Sequence, residues 1–145
     1  MNKDHGASLP EFAPRFDTPL LRPYWESLRE GRLSLPACST CGAWQWYPFE
    51  FVKCHPGASH EWKPVPSVGH VFTFTVVHRS FLANAIKDSS PYISALIELD
   101  GIEGARIPAL LVNLGDLQPE IGMRVQLVPI LRDGYTAPAF EPCGI

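Results

Sequence analysis

Three cysteines and one histidine carry the most specific chemistry in the chain. The stretch CSTCGAWQWYPFEFVKCHPGASH runs from Cys38 to His60. Cys38 and Cys41 form a CxxC pair, and 12 residues separate Cys41 from Cys54. Zinc takes four tetrahedral ligands, and the thiolates of a CxxC knuckle suit that geometry. The spacing suits two knuckles on one ribbon. The second knuckle is incomplete, because Gly57 occupies the place where a second CxxC would end. Two histidines could supply the fourth ligand, His55 and His60. We expect His60, because the HPGAS turn can return its imidazole, whereas adjacent residues rarely share one tetrahedral ion. The expected ligand set is Cys38, Cys41, Cys54 and His60, holding a structural Zn2+. The competing reading makes the cysteines small buried hydrophobes. A catalytic zinc would need an open position and a nearby acid or base; Glu50 and Glu61 are closest in sequence and suit surface ion pairs better.

The elements that must position this cluster are short. Residues 1–17 are polar and aperiodic and read as a flexible arm. A helical unit follows over 18–32, in RPYWESLREGRL, with Pro23 at its start and Gly31 just past its end. Tyr24, Trp25 and Leu28 give it one apolar face. Residues 33–66 form the ribbon, dense in aromatics (Trp44, Trp46, Tyr47, Phe49, Phe51, Trp62). So short a segment buries little surface alone, and a metal staple would help it fold. From 67 to 142 the pattern turns to strands. VGHVFTFTVVH alternates, with Phe72, Phe74 and Val76 on one face and Val71, Thr73, Thr75 and Val77 on the other. PYISALIELD puts Ile93, Ala95, Ile97 and Leu99 on one side. IPALLVNL, MRVQLVPIL and YTAPAF complete five strands. The class is mainly β: a short N-terminal helix, a zinc ribbon and a five-stranded OB-fold barrel of Greek-key type.

Composition excludes several functions. The 145 residues are 46% hydrophobic and 19% charged, as a chain with a real core requires. No long apolar run predicts a membrane span, and no apolar signal core opens the chain, so a cytoplasmic location is expected. The net charge of -3 argues against a nucleic-acid partner, which selects a basic face. Phe72, Phe74 and Tyr92 could stack on bases, but Lys87 is the sole lysine from Val65 onward. No P-loop, Rossmann fingerprint, nucleophile elbow or HExxH occurs, and no catalytic residue can be named. Cys143 is a tail thiol without an evident base.

The order of parts is distinctive: PYWESLREGRL, CSTCGAWQWYP, a second knuckle with an EW dipeptide, GHVFTFTVVHR, PYISALIELD and EIGMRVQL. Over about residues 22 to 142 it resembles the DUF35 family of rubredoxin-like zinc-ribbon plus OB-fold proteins. The resemblance implies a required, non-catalytic subunit of a heteromeric thiolase-fold enzyme that acts on acyl-CoA thioesters by thiolysis, acyl transfer or retro-aldol cleavage. The family typically has a second CxxC where this chain has CHPG. A thiolase-like subunit is the implied partner, with a CoA thioester as ligand. The Trp25 helix and the aromatic ribbon are the expected docking surfaces. The loop SFLANAIKDSS corresponds to an OB ligand-binding edge. There Arg79 and Lys87 could meet CoA phosphates and Phe81 could stack on adenine; alternatively Arg79 is an ordinary strand-end charge and Phe81 packs beneath its own loop. The alternative functions are a free-standing acyl-CoA-binding module and a nucleic-acid-binding ribbon–OB protein.

Overall fold

A computed structural model describes residues 18–78, 91–132 and 134–144. The arm and the Arg79, Phe81 and Lys87 assignments lie outside the described residues.

Helix α1, Arg22–Arg29, holds Pro23 in its first turn and ends against Gly31, whose φ of 81° lets the chain reverse. Gly31 N–H bonds the Leu28 carbonyl and Arg32 N–H the Ser27 carbonyl. Tyr24, Ser27 and Leu28 form its buried face. This face covers β1, Leu33–Cys38, every residue of which is buried. Ser27 Oγ donates to Ser34 Oγ at 2.9 Å, satisfying two hydroxyls that would otherwise be stranded in the core. Strand β2, His60–Val65, pairs antiparallel with β1 from Cys38↔His60 to Leu33↔Val65. The metal-ligand stretch is therefore the loop of one hairpin.

Five strands close a barrel in the order β3-β4-β5-β9-β6: Val68–Val77, Tyr92–Leu99, Arg106–Leu111, Ala139–Pro142 and Arg124–Leu127. All neighbours run antiparallel except β5 and β9, which are parallel. That order is the expected OB-type Greek key. Phe140 fills the interior, with Val71, Ile97, Ile107 and Val125 around it, all essentially solvent-free. Leu28, Leu33 and Leu35 belong to the same cluster, so ribbon and barrel share one core. A bidentate ion pair, Arg124 to Asp100 at 2.6 and 2.9 Å, ties the end of β4 to the start of β6. The guanidinium holds the Asp100 carboxyl below its usual range.

Two strand expectations need correction. In β3, Val71 pairs with Ile97 but Thr73 pairs with Leu96, so Phe72 is an extra residue. This bulge inverts the alternation. Val71 and Phe74 both join the core, and Phe72 stands exposed beneath the Arg106 guanidinium, 3.8 Å from its ring centre. The last two expected strands also divide. Pro129 ends β6 because it has no N–H for the ladder, and β7 (Ile130–Arg132) forms a separate hairpin with β8 (Tyr135–Ala137). Pro138 separates β8 from β9, and its carbonyl accepts Leu110 N–H. β4 alternates as expected, with Ala95, Ile97 and Leu99 inside.

Candidate metal centre

The first knuckle grows out of β1. Gly42 N–H bonds the Cys38 carbonyl at 2.8 Å, and Cys38 N–H bonds the Ala43 carbonyl. Gly42 takes φ 74°, a conformation that side chains strain to adopt. Thr40 N–H points at Cys38 Sγ, 3.4 Å away. The second knuckle is tied to the first by Ser39 N–H to the Ser59 carbonyl and by Ser59 N–H to Ser39 Oγ, each 3.0 Å. Gln45 braces the loop between them: its side-chain amide donates to the Phe51 carbonyl and accepts Lys53 N–H.

These turns bring Cys38, Cys41, Cys54 and His55 together, with their donor atoms all within 4.8 Å of one another. Cys38 Sγ lies 3.6 Å from His55 Nδ1, and Cys41 Sγ lies 3.6 Å from Cys54 Sγ. A tetrahedral zinc with sulfur at about 2.3 Å and nitrogen at about 2.0 Å separates neighbouring donors by about 3.5–3.8 Å. Three soft sulfurs and one imidazole are a donor set that zinc accepts, so the residues fit the ion.

The fourth member is His55, not the expected His60. Neighbouring side chains diverge on a strand, but Cys54 and His55 lie in an irregular bend, where that alternation does not apply. Ala58 N–H closes a turn onto the His55 carbonyl, and Gly57 carries φ 93° in it. Gly57 thus supplies a turn where a cysteine was looked for. His60 enters β2 opposite Cys38, and its ring is engaged elsewhere. His60 Nε2 donates to the Phe49 carbonyl at 2.7 Å, which leaves Nδ1 buried without a partner among the described residues.

The electrostatics are those of crowded thiols. Cys38 is buried in the fold, yet its thiol is lowered to about 6, first by the Cys41 N–H. Cys54 is pushed up to about 11 by desolvation and by hydrogen bonding to the neighbouring thiols. One thiolate makes the next harder to form, and a divalent cation would offset that repulsion.

Beside the cluster the loop displays Tyr47, Phe49 and Phe51, each between 44% and 60% exposed. Phe49 and Phe51 stack with centroids 6.1 Å apart, and Lys53 Nζ sits 4.4 Å over Phe49. Trp25, on the helix expected to dock a partner, is partly buried against the core and meets Tyr135 edge-on. On the barrel, an open groove of about 270 Å³ is lined by Thr73, Phe74, Thr75, Ser94, Leu96 and Pro108. Glu61 pairs with Lys63 at 3.7 Å on the surface. Among the described residues no helix is long and apolar enough to cross a membrane.

Known proteins with this architecture divide in the same way. A family model described as the ChsH2 rubredoxin-like zinc ribbon domain matches residues 25–55. One described as the ChsH2 C-terminal OB-fold domain matches residues 62–128. No curated protein matches the chain. A solved structure described as an Ltp2–ChsH2(DUF35) aldolase superposes with a TM-score of 0.76 at 24% identity, covering 90% of this chain and 98% of that one. A DUF35 protein of unknown function from Sulfolobus solfataricus gives a TM-score of 0.58 at 15% identity, covering 86% of each chain. With ribbon and barrel matched in this order over more than half of its residues, the chain belongs to the DUF35 family of rubredoxin-like zinc-ribbon and OB-fold proteins.

Proposed function

We propose that the chain is a required, non-catalytic subunit of a heteromeric thiolase-fold enzyme that cleaves or forms a carbon–carbon bond beside an acyl-CoA thioester. Its ribbon carries a structural Zn2+ on Cys38, Cys41, Cys54 and His55. The observation that carries the reading is the likeness to the ChsH2(DUF35) component of an aldolase, which extends over 98% of that chain and takes in both domains. Among thiolysis, acyl transfer and retro-aldol cleavage, this likeness favours the last. The exposed Tyr47, Phe49 and Phe51 suit a chain that works in contact with another protein, since aromatic side chains are enriched at such contacts.

The CoA thioester would lie along the β3–β4 side of the barrel. The groove there is lined by Thr75 and Ser94, close to where β3 leads into the segment carrying Arg79, Phe81 and Lys87. Arg79 and Lys87 would pair with phosphate oxygens and Phe81 would stack on the adenine ring. In the assembled enzyme, Arg79→Ala should raise KM for the CoA thioester about tenfold, the size of one charge-assisted hydrogen bond of about 1.5 kcal/mol. Assembly, read by size-exclusion chromatography, should not change. Steady-state kinetics with unaltered KM would remove Arg79 from the site. Tight binding of a CoA thioester by the isolated chain, with no partner required, would favour the free-standing binding module.

A further inference from the structure

The metal cluster is chemically lopsided. Cys38 is 2% exposed, receives the Thr40 N–H and faces the His55 imidazole. Cys41 and Cys54 are exposed, and their sulfurs already lie 3.6 Å apart. A disulfide needs about 2.05 Å between sulfurs, so these two must approach by roughly 1.5 Å. Both sit in turns rather than in paired strand, where such an adjustment is small. The pair also joins the same two knuckles that the metal joins.

We propose that Cys41 and Cys54 form a reversible oxidation site, at which a hydroperoxide converts the two zinc-bound thiolates to a disulfide and releases the metal. This rests on the metal reading above. One of the two thiolates attacks a peroxide oxygen. The O–O bond breaks, hydroxide leaves, and the sulfur becomes a sulfenic acid. The other thiolate attacks that sulfur; the S–S bond forms, the S–O bond breaks, and a second hydroxide leaves. Each sulfur gives up one electron, the peroxide gains two, and two protons turn the hydroxides into water. Two of the four ligands are then lost, and Cys38 with His55 cannot retain the ion alone. The new covalent link holds the knuckles together in its place, so the ribbon stays closed, and a dithiol reverses the change.

The test uses the full chain carrying Cys143→Ser, which removes the one thiol outside the cluster. Metal content is measured first by elemental analysis, and the protein is then treated with one equivalent of hydrogen peroxide. We expect one zinc released per chain and an intact mass lower by about 2 Da, as a single disulfide requires. Tryptic cleavage after Lys53 parts Cys41 from Cys54 but leaves Cys38 and Cys41 on one peptide, so a cross-linked peptide pair is fragmented between Cys38 and Cys41 to show which of the two is bonded. Dithiothreitol and added zinc should restore the starting mass and metal content. A disulfide that includes Cys38, sulfinic acid without a cross-link, or zinc retained under peroxide overturns the oxidation site and leaves the metal reading standing. Protein that carries no zinc before peroxide is added overturns the metal reading itself.

Discussion

Replacing Cys38 and Cys41 together by serine should strip the ribbon of metal and lower the melting temperature by about 10 °C, equivalent to about 3 kcal/mol for a chain of this size. Zinc contributes about 10–16 kcal/mol to the folding of isolated zinc-finger peptides. The loss here should be smaller because the barrel has its own core around Phe140. It should still be large, because the hairpin loop from Ser39 to Ser59 contains no regular strand pairing beyond the Ala37↔Trp44 bridge. Its cross-ties include the two Ser39–Ser59 bonds, those of Gln45 and the His60 bond to the Phe49 carbonyl. The histidines separate the ligand from its neighbour. His55→Ala should reduce zinc content to a fraction of one ion per chain. His60→Ala should leave zinc in place and loosen only the Phe49 segment, whose carbonyl it binds. Elemental analysis and thermal melts decide both; full zinc in His55→Ala with none in His60→Ala would restore the original ligand expectation.

Gly69→Ala should cost about 3 kcal/mol or more, at the upper end of overpacking penalties. Gly69 lies in β3 between two partners, Leu99 on β4 and Val125 on β6. A Cβ there would lie 2.2 Å from the Glu98 carbonyl oxygen and 2.9 Å from the Leu99 Cα. Both obstacles are backbone, so no side-chain rotation relieves the clash, and the β3–β4 pair must separate at the point where β6 also joins. Gly144→Ala is the control, since a Cβ at that position meets nothing. Denaturant melts of the two variants should differ by nearly the whole effect. Equal stability would mean that β3 can shift and that the close approach is not needed for closure.

What could be read from the residues follows from how local each feature is. The CSTC knuckle and the later Cys54 announce a metal ribbon because ligand type and spacing are local. The fourth donor is not local in that sense. It depends on a turn at Pro56–Gly57 that leaves His55 facing the thiols and sends His60 into β2. Alternation identifies the inward residues of β4 but misassigns β3, because one bulged residue at Phe72 exchanges the two faces. The prolines at 129 and 138 are visible as strand breakers. Which strand each broken piece then joins is decided by long-range pairing, such as the parallel contact of β9 with β5. The need for glycine at position 69 arises only when three strands converge there.

The central claim is a zinc-stapled subunit that functions inside a heteromeric thiolase-fold enzyme. Native mass spectrometry of the tagged chain, isolated gently from its own host, tests it most directly. The account predicts an assembly containing a thiolase-fold protein, one zinc per copy of this chain, and loss of both metal and partner in the Cys38→Ser, Cys41→Ser variant. A lone chain, or an assembly whose other member is not a thiolase-fold protein, would contradict it.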